Sequence, residues 1–428
     1  MRAKTVIVGG GVIGCSIALK IAKRSDPLKE PTVLLERADL GSGGSGRSGA
    51  ILRQLYGDPR VALMARDSLR EFASFEGLTA RSIGFRRSGL LSIAGPKRPE
   101  WVQQLKDTHA RLSEAGIDVR LVGPAEMHQL VPGLRVEEGS IGVWEPDAGF
   151  VDPRKTVKSF AALARTYGAI TRLGVNADEL LVENGRVTGV RSGSETYEAD
   201  HVVLCAGPWS AKLLKPIGVD LPLRTVRPES HFVRLPTSYH ETTGGDRVSE
   251  LGVDLEDPLE ALSEQISGHG GVEEARIHPV ILDLEEMFYA RCEPNEHRTR
   301  IGHADHEHDL ELADPDDLDE EVSAESRKWA RDAIGSRMPG YAKEQDVASE
   351  AGWYTLTPDM MPAVGPAPGV EGLFVAVGFS GHGFKLAPSV GEGLAQMLHG
   401  ERLSAFEAEL FDPARFANRA CAGSPFGL

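Results

Sequence analysis

The sequence predicts an α/β nucleotide-binding unit, split along the chain, joined to an α+β unit built on an antiparallel sheet. Three observations predict it. The β-branched run Thr5-Val-Ile-Val8 leads into Gly9-Gly-Gly-Val-Ile-Gly14, and apolar residues at helical spacing follow from Cys15 to Arg24. Strand, glycine turn and helix return in Leu373-Phe-Val-Ala-Val-Gly-Phe-Ser-Gly-His-Gly-Phe-Lys385 and the apolar stretch that ends at Leu398. Between these ends, Met287-Phe-Tyr-Ala-Arg291 and Arg298-Thr-Arg-Ile-Gly302 read as paired strands around a polar turn.

Composition excludes several functions. The chain has 428 residues, 41% of them hydrophobic and 26% charged, which suits a folded protein of two or three domains. Its net charge of −16, with no basic stripe, opposes nucleic-acid and anionic-membrane binding. No apolar run reaches the ~18 residues of a membrane span, and neither a signal peptide nor a span is expected. Cys15, Cys205, Cys292 and Cys421 lack metal-ligand spacing, so neither a disulfide framework nor a zinc site is expected, and the compartment is read as reducing and cytoplasmic. The 48 glycines are the unusual feature, about 11% of the chain against a usual ~7%.

Taken in order, Gly9-x-Gly11-x-x-Gly14 allows a tight turn, a pyrophosphate against bare backbone, and close helix packing, with Val12 and Ile13 opening the helix. The second strand, Thr32-Val-Leu-Leu35, ends in Glu36, followed by Arg37. An acid about 20 residues past the turn can accept hydrogen bonds from a ribose 2′-OH and disfavours a 2′-phosphate. The cluster Gly41-Ser-Gly-Gly-Ser-Gly-Arg-Ser-Gly49, containing Gly44, Ser45, Arg47 and Ser48, reads as a loop along which a large flat ligand can lie. Val61 to Phe72 has a helical pattern and Ser88 to Ile93 a strand pattern. Asn184-Gly185 marks a hairpin, and His201-Val-Val-Leu-Cys-Ala-Gly207 reads as a buried return strand. The stretch from Asp309 to Glu325 carries nine acids and no base and is read as a solvated loop or helix start. His303, His306 and His308 just before it are read as surface or pocket-lining residues, with no metal expected.

Gly352-Trp-Tyr-Thr-Leu-Thr-Pro-Asp359 and Gly378-Phe-Ser-Gly-His-Gly-Phe-Lys385, in this order and separation, resemble the signature of the flavin-dependent amine oxidoreductases of D-amino acid oxidase type. The resemblance is to the branch of sarcosine oxidase and dimethylglycine dehydrogenase, and it spans essentially the whole chain. Arg47-Ser-Gly-Ala-Ile-Leu-Arg53, Asp147-Ala-Gly-Phe-Val-Asp-Pro153 and Cys205-Ala-Gly-Pro-Trp-Ser210 support it. It implies a discontinuous Rossmann-type FAD-binding domain, 1–60, 145–215 and 345–428, with an inserted substrate-binding domain on an antiparallel sheet, 61–144 and 216–344.

The resemblance further implies that Arg53 and Lys385 hold a substrate carboxylate, that Tyr354 and His382 line the flavin or substrate cavity, and that Val175 meets the adenine end through its backbone. Gly49, Ala206, Gly207, Trp209, Gly381, Gly383 and Phe384 complete the implied FAD contacts. Gly352 stands where that branch's monomeric sarcosine oxidases carry a flavin-linked cysteine, so the FAD is expected to be non-covalent. Arg300 aligns with their oxygen-activating lysine, which leaves O2 or another carrier as electron acceptor. The implied reaction is oxidation of the C–N bond of an amino or imino acid, a secondary or tertiary amine, by hydride transfer to flavin N5. The alternatives are a 2-hydroxy acid dehydrogenase and a catalytically vestigial flavoprotein scaffold. Oligomeric state is not legible in the sequence.

Overall fold

A computed structural model describes residues 1–236 and 277–417; Cys421 lies outside them. Among the described residues, the first sheet has eight strands. Arg2–Val8 runs at its centre, parallel to Glu195–Leu204 on one side and Thr32–Glu36 on the other. Leu373–Val377 and Ile170–Leu173 extend the parallel array outward, and Ala363–Pro366 closes one edge antiparallel. Val6, Val33 and Val202 are fully buried, as expected for parallel strands covered on both faces. One cover is helix Val12–Ala22, packed on helices Gly383–Leu398 and Pro153–Thr166. On the other face lie the hairpin Glu179–Glu183/Arg186–Ser192 and helix Ser210–Leu214. Asn184 and Gly185 take φ of 51° and 79°, the positive pair that a two-residue hairpin turn of this hand requires.

Gly14 shows why the first turn needs glycine. A Cβ there would lie 1.9 Å from the Gly9 carbonyl oxygen, so only hydrogen fits between helix and turn.

The second sheet also has eight strands among the described residues, in the order Asp346–Ala351, Glu229–Arg234, Arg298–His303, Phe288–Glu293, Val280–Asp283, Leu90–Ala94, Ile141–Glu145, Arg120–Val122. Its neighbours are antiparallel except Val280–Asp283 with Leu90–Ala94. Strand Asp346–Ala351 falls on the nucleotide-binding side of the boundary at 345, yet it hydrogen-bonds to Glu229–Arg234 in this sheet. Helix Ala324–Arg337 packs Ala330 and Ile334 against Phe288 and Ala290, and the Ser323 hydroxyl caps it by accepting the Ser326 amide at 3.0 Å. The nine-acid stretch therefore ends as a helix start, as its composition suggests. Among the described residues, no helix is long and apolar enough to cross a membrane.

Candidate active site

A cavity of about 630 Å³ opens along the C-terminal ends of the parallel strands, where open α/β sheets bind ligands. Gly9, Gly11, Val12, Ile13, Glu36, Arg37, Gly44, Ser45, Ser48, Val175, Ala206, Gly207, Trp209, Tyr354, Gly381, Gly383 and Phe384 line it. Gly14 stands behind the turn. At one end the Glu36 carboxylate accepts the Gly10 amide through Oε2 and the Ala38 amide through Oε1, both at 2.8 Å, which orients it toward the cavity. Val175 donates its amide to the Glu36 carbonyl at 3.0 Å, so a ligand would meet its carbonyl instead. At the other end, Gly381 to Phe384 bring the N-terminus of helix Gly383–Leu398 to the wall. Unpaired amides and a positive dipole end suit negative charge there.

The acidic stretch does more than face solvent. Asp316 lines the cavity and accepts from Lys212 at 2.8 Å, Trp209 Nε1 at 2.8 Å and Arg37 at 3.0 Å. These hydrogen bonds, that of Lys212 foremost, pull its carboxyl down to about 2. Trp353 Nε1 donates to the Pro315 carbonyl at 2.8 Å, and Glu320 pairs with Arg47. A strap of acids is thereby laid across the cofactor-side edge of the cavity. Sequence reading missed it because charge density alone does not reveal which cations a loop will meet.

A second cavity of about 110 Å³ adjoins the first and shares Ser48, Tyr354, Ser380, Gly381 and Phe384 with it. Arg53, His382, Lys385 and Gly49 line this smaller space, with Ile51, Leu90, Val280 and Leu282 as its apolar walls. Arg53 is 6% and Lys385 8% exposed, so two cationic side chains face one small cavity away from bulk water. Burial first, and then the nearby Arg53, hold the Lys385 ammonium well below its ordinary value, while Glu145 opposes the shift. The same burial, with Lys385 and Arg53 nearby, keeps His382 neutral. Its Nδ1 lies 3.3 Å from the Tyr56 hydroxyl, and its Nε2 is buried without a partner among the described residues. His303 and His306 also line this cavity; burial and then His308 push His303 down to about 4.

Glu145 and Tyr56 were not singled out from the sequence. Glu145 is fully buried, and burial raises its carboxyl to about 7 against the pull of two amides, Arg53 and Lys385. A lone acid at the end of an apolar strand carries no sequence signal for this role.

Arg300 departs from expectation. It lines neither cavity: Nε donates to Glu293 at 3.0 Å, and Nη1 donates to Glu350 at 2.8 Å and to the Arg47 carbonyl at 3.0 Å. A guanidinium committed to two carboxylates and a carbonyl braces the glycine-rich loop from behind. Arg47 likewise lines neither cavity; it bonds the Ala351 carbonyl and lies 4.9 Å from the Trp353 ring.

The residues present fit a flavin dinucleotide. The cavity has at one end a carboxylate of the kind that can accept from a ribose, bare glycine backbone in the middle and a helix N-terminus at the other, and His382, whose Nε2 is buried without a partner among the described residues, lines the adjoining cavity. Gly352, where a covalent tether would start, offers no side chain. The described cysteines are free and buried, and burial raises the Cys205 thiol beside the turn, leaving it a poor nucleophile.

Known proteins resemble this chain over most of its length. Dimethylglycine dehydrogenase of Rattus norvegicus mitochondria is 26% identical over 97% of this chain and 45% of its own length. The chain spans about half the length of that relative. Peroxisomal sarcosine oxidase of Homo sapiens is 26% identical over 92% of this chain and 91% of its own. The structure of L-proline dehydrogenase from P. horikoshii superposes with a TM-score of 0.80 at 22% identity, covering 97% of this chain and 98% of that one. Residues 4–397 match the family described as DAO, FAD dependent oxidoreductase, and the chain belongs to that family of flavoenzymes.

Proposed function

We propose that the protein oxidises the C–N bond of a small amino or imino acid, a secondary or tertiary amine such as an N-methyl amino acid, in the cavity between Arg53 and Lys385. The observation that carries this reading is the pairing of those two buried cations at the edge of the flavin cavity. Both side chains line this one small cavity and Glu145 acts on both, and a ligand carboxylate bound there would restore the proton affinity of Lys385. The bound FAD supplies the hydride acceptor. The chain's residues hold the substrate carbon within about 3–3.5 Å of the acceptor atom, which is where orientation lowers the barrier. Ile51, Leu90, Val280 and Leu282 keep water from the reacting carbon, and a cavity this small favours substrates without a bulky side chain. An amine that binds unprotonated needs no base. The resulting imine hydrolyses in water.

The free buried cysteines support a reducing compartment, the cytoplasm. Anaerobic mixing of the yellow protein with N-methyl amino acids, D-amino acids, proline analogues and 2-hydroxy acids tests the reading. Bleaching of the flavin by amines supports it, and bleaching by hydroxy acids alone overturns it. Admitting air then distinguishes O2 from another carrier as acceptor.

A further inference from the structure

We propose that His303, Asp305 and His308 form a site for one divalent transition-metal ion, zinc or nickel in class, at the rim of the substrate cavity. His303 is the last residue of strand Arg298–His303, and the other two lie in the turn after it. One ligand atom from each comes within 4.8 Å of the others. The His303 and His308 rings are 4.6 Å apart between centroids and tilted by 38°. Stacking at 3.4 Å on Trp329, from helix Ala324–Arg337, fixes the His303 ring.

A second observation points to a cation. Asp305 is 6% exposed and its Oδ1 accepts the Glu307 amide at 3.2 Å, yet no cationic side chain among the described residues pairs with it. Buried carboxylates are ordinarily paired with a cation or coordinate a metal. Two imidazoles and a carboxylate suit zinc, nickel, cobalt or copper and not magnesium or calcium, which prefer all-oxygen shells. Bonds of about 2.0–2.2 Å place ligand atoms roughly 3–4 Å apart. The exposed His308 can close the remaining distance by rotating, and water completes the shell. The turn so pinned supplies Ala304 and His306 to the wall of the smaller cavity, so the ion would fix the shape of that wall. This inference does not rest on the amine reading.

The test is calorimetric titration of FAD-loaded, tag-free, chelator-treated protein with zinc chloride, paired with quenching of tryptophan fluorescence by nickel chloride. One ion per chain is expected, with binding weakened by more than about tenfold in His303→Ala and in His308→Ala, since loss of a mere outer-sphere partner already costs 10–100-fold. His308 is exposed, so its removal leaves the fold intact. His306→Gln retains the binding. Nickel quenching is lost in Trp329→Phe, while zinc binding persists. Absence of one-to-one binding, unchanged affinity in His308→Ala, loss of binding in His306→Gln, or nickel binding without quenching each overturns the site.

Discussion

Oε2 of Glu145 accepts the backbone amide of Leu55 at 3.1 Å and that of Gln54 as well, so one buried carboxylate holds the turn that follows Arg53. The second sheet thereby positions a residue of the cofactor side: Glu145 ends strand Ile141–Glu145, and Arg53 follows the short strand Ile51–Leu52. Glu145→Ala orphans two buried amides at about 1–3 kcal/mol each. The expected result is a lower urea midpoint and a raised KM for the substrate, both largely restored in Glu145→Gln, whose side-chain oxygen can still accept. Unchanged stability in Glu145→Ala would show that the turn does not depend on it.

Arg53 and Lys385 give the second prediction. Removing one member of a buried charge pair costs about 2–5 kcal/mol, so Arg53→Met and Lys385→Met each lower kcat/KM for a carboxylate substrate by roughly thirtyfold or more. Steady-state kinetics at saturating acceptor check this. A variant that keeps wild-type KM and turnover contradicts the clamp.

Arg300→Met is expected to act on stability. Breaking a buried ion pair costs about 3–5 kcal/mol, at the lower end here because Glu293 keeps Arg291 and Arg298. A thermal melt should fall while the rate at which reduced flavin reoxidises in air stays within about twofold. Collapse of the reoxidation rate alone would return Arg300 to the chemistry.

The strap gives a pH prediction. Asp316 is held down to about 2 by Lys212, Trp209 and Arg37. A depressed carboxyl contributes stability above its unfolded value, near 4, and loses it as pH falls through the folded value. Urea midpoints should therefore drop more between pH 5 and 3 in the wild type than in Asp316→Asn. Asp316→Asn should also release FAD faster at high dilution, read as recovery of flavin fluorescence. Parallel midpoints and equal release rates exclude the strap as a latch.

Much of this architecture is legible in the sequence where a local rule decides it. The turn at Gly9 to Gly14, the hairpin at Asn184-Gly185 and the strands around Met287 and Arg298 each follow from backbone sterics or side-chain alternation over a few neighbouring residues. The site is legible in part: Arg53 and Lys385 could be named only through the resemblance, because nothing in the 331 intervening positions shows that the two meet. Glu145, Tyr56 and the Asp316 strap are long-range partners with no local pattern. The partners of Arg300 were hidden for the same reason: alignment gives a position in a strand, whereas Glu293 on the adjacent strand and Glu350 two strands away in the same sheet decide what its guanidinium pairs with.

The central claim is that a carboxylate clamped by Arg53 and Lys385 presents an amine to the flavin. The most direct measurement compares, under anaerobic conditions and at a pH where both amines are unprotonated, flavin reduction by the amino acid that bleaches the wild-type protein fastest with reduction by its carboxamide, which keeps the shape and loses the negative charge. Reduction per unit concentration is expected to be at least about thirtyfold slower for the amide, the size of one buried charge contact. Equal rates for acid and amide would contradict the account.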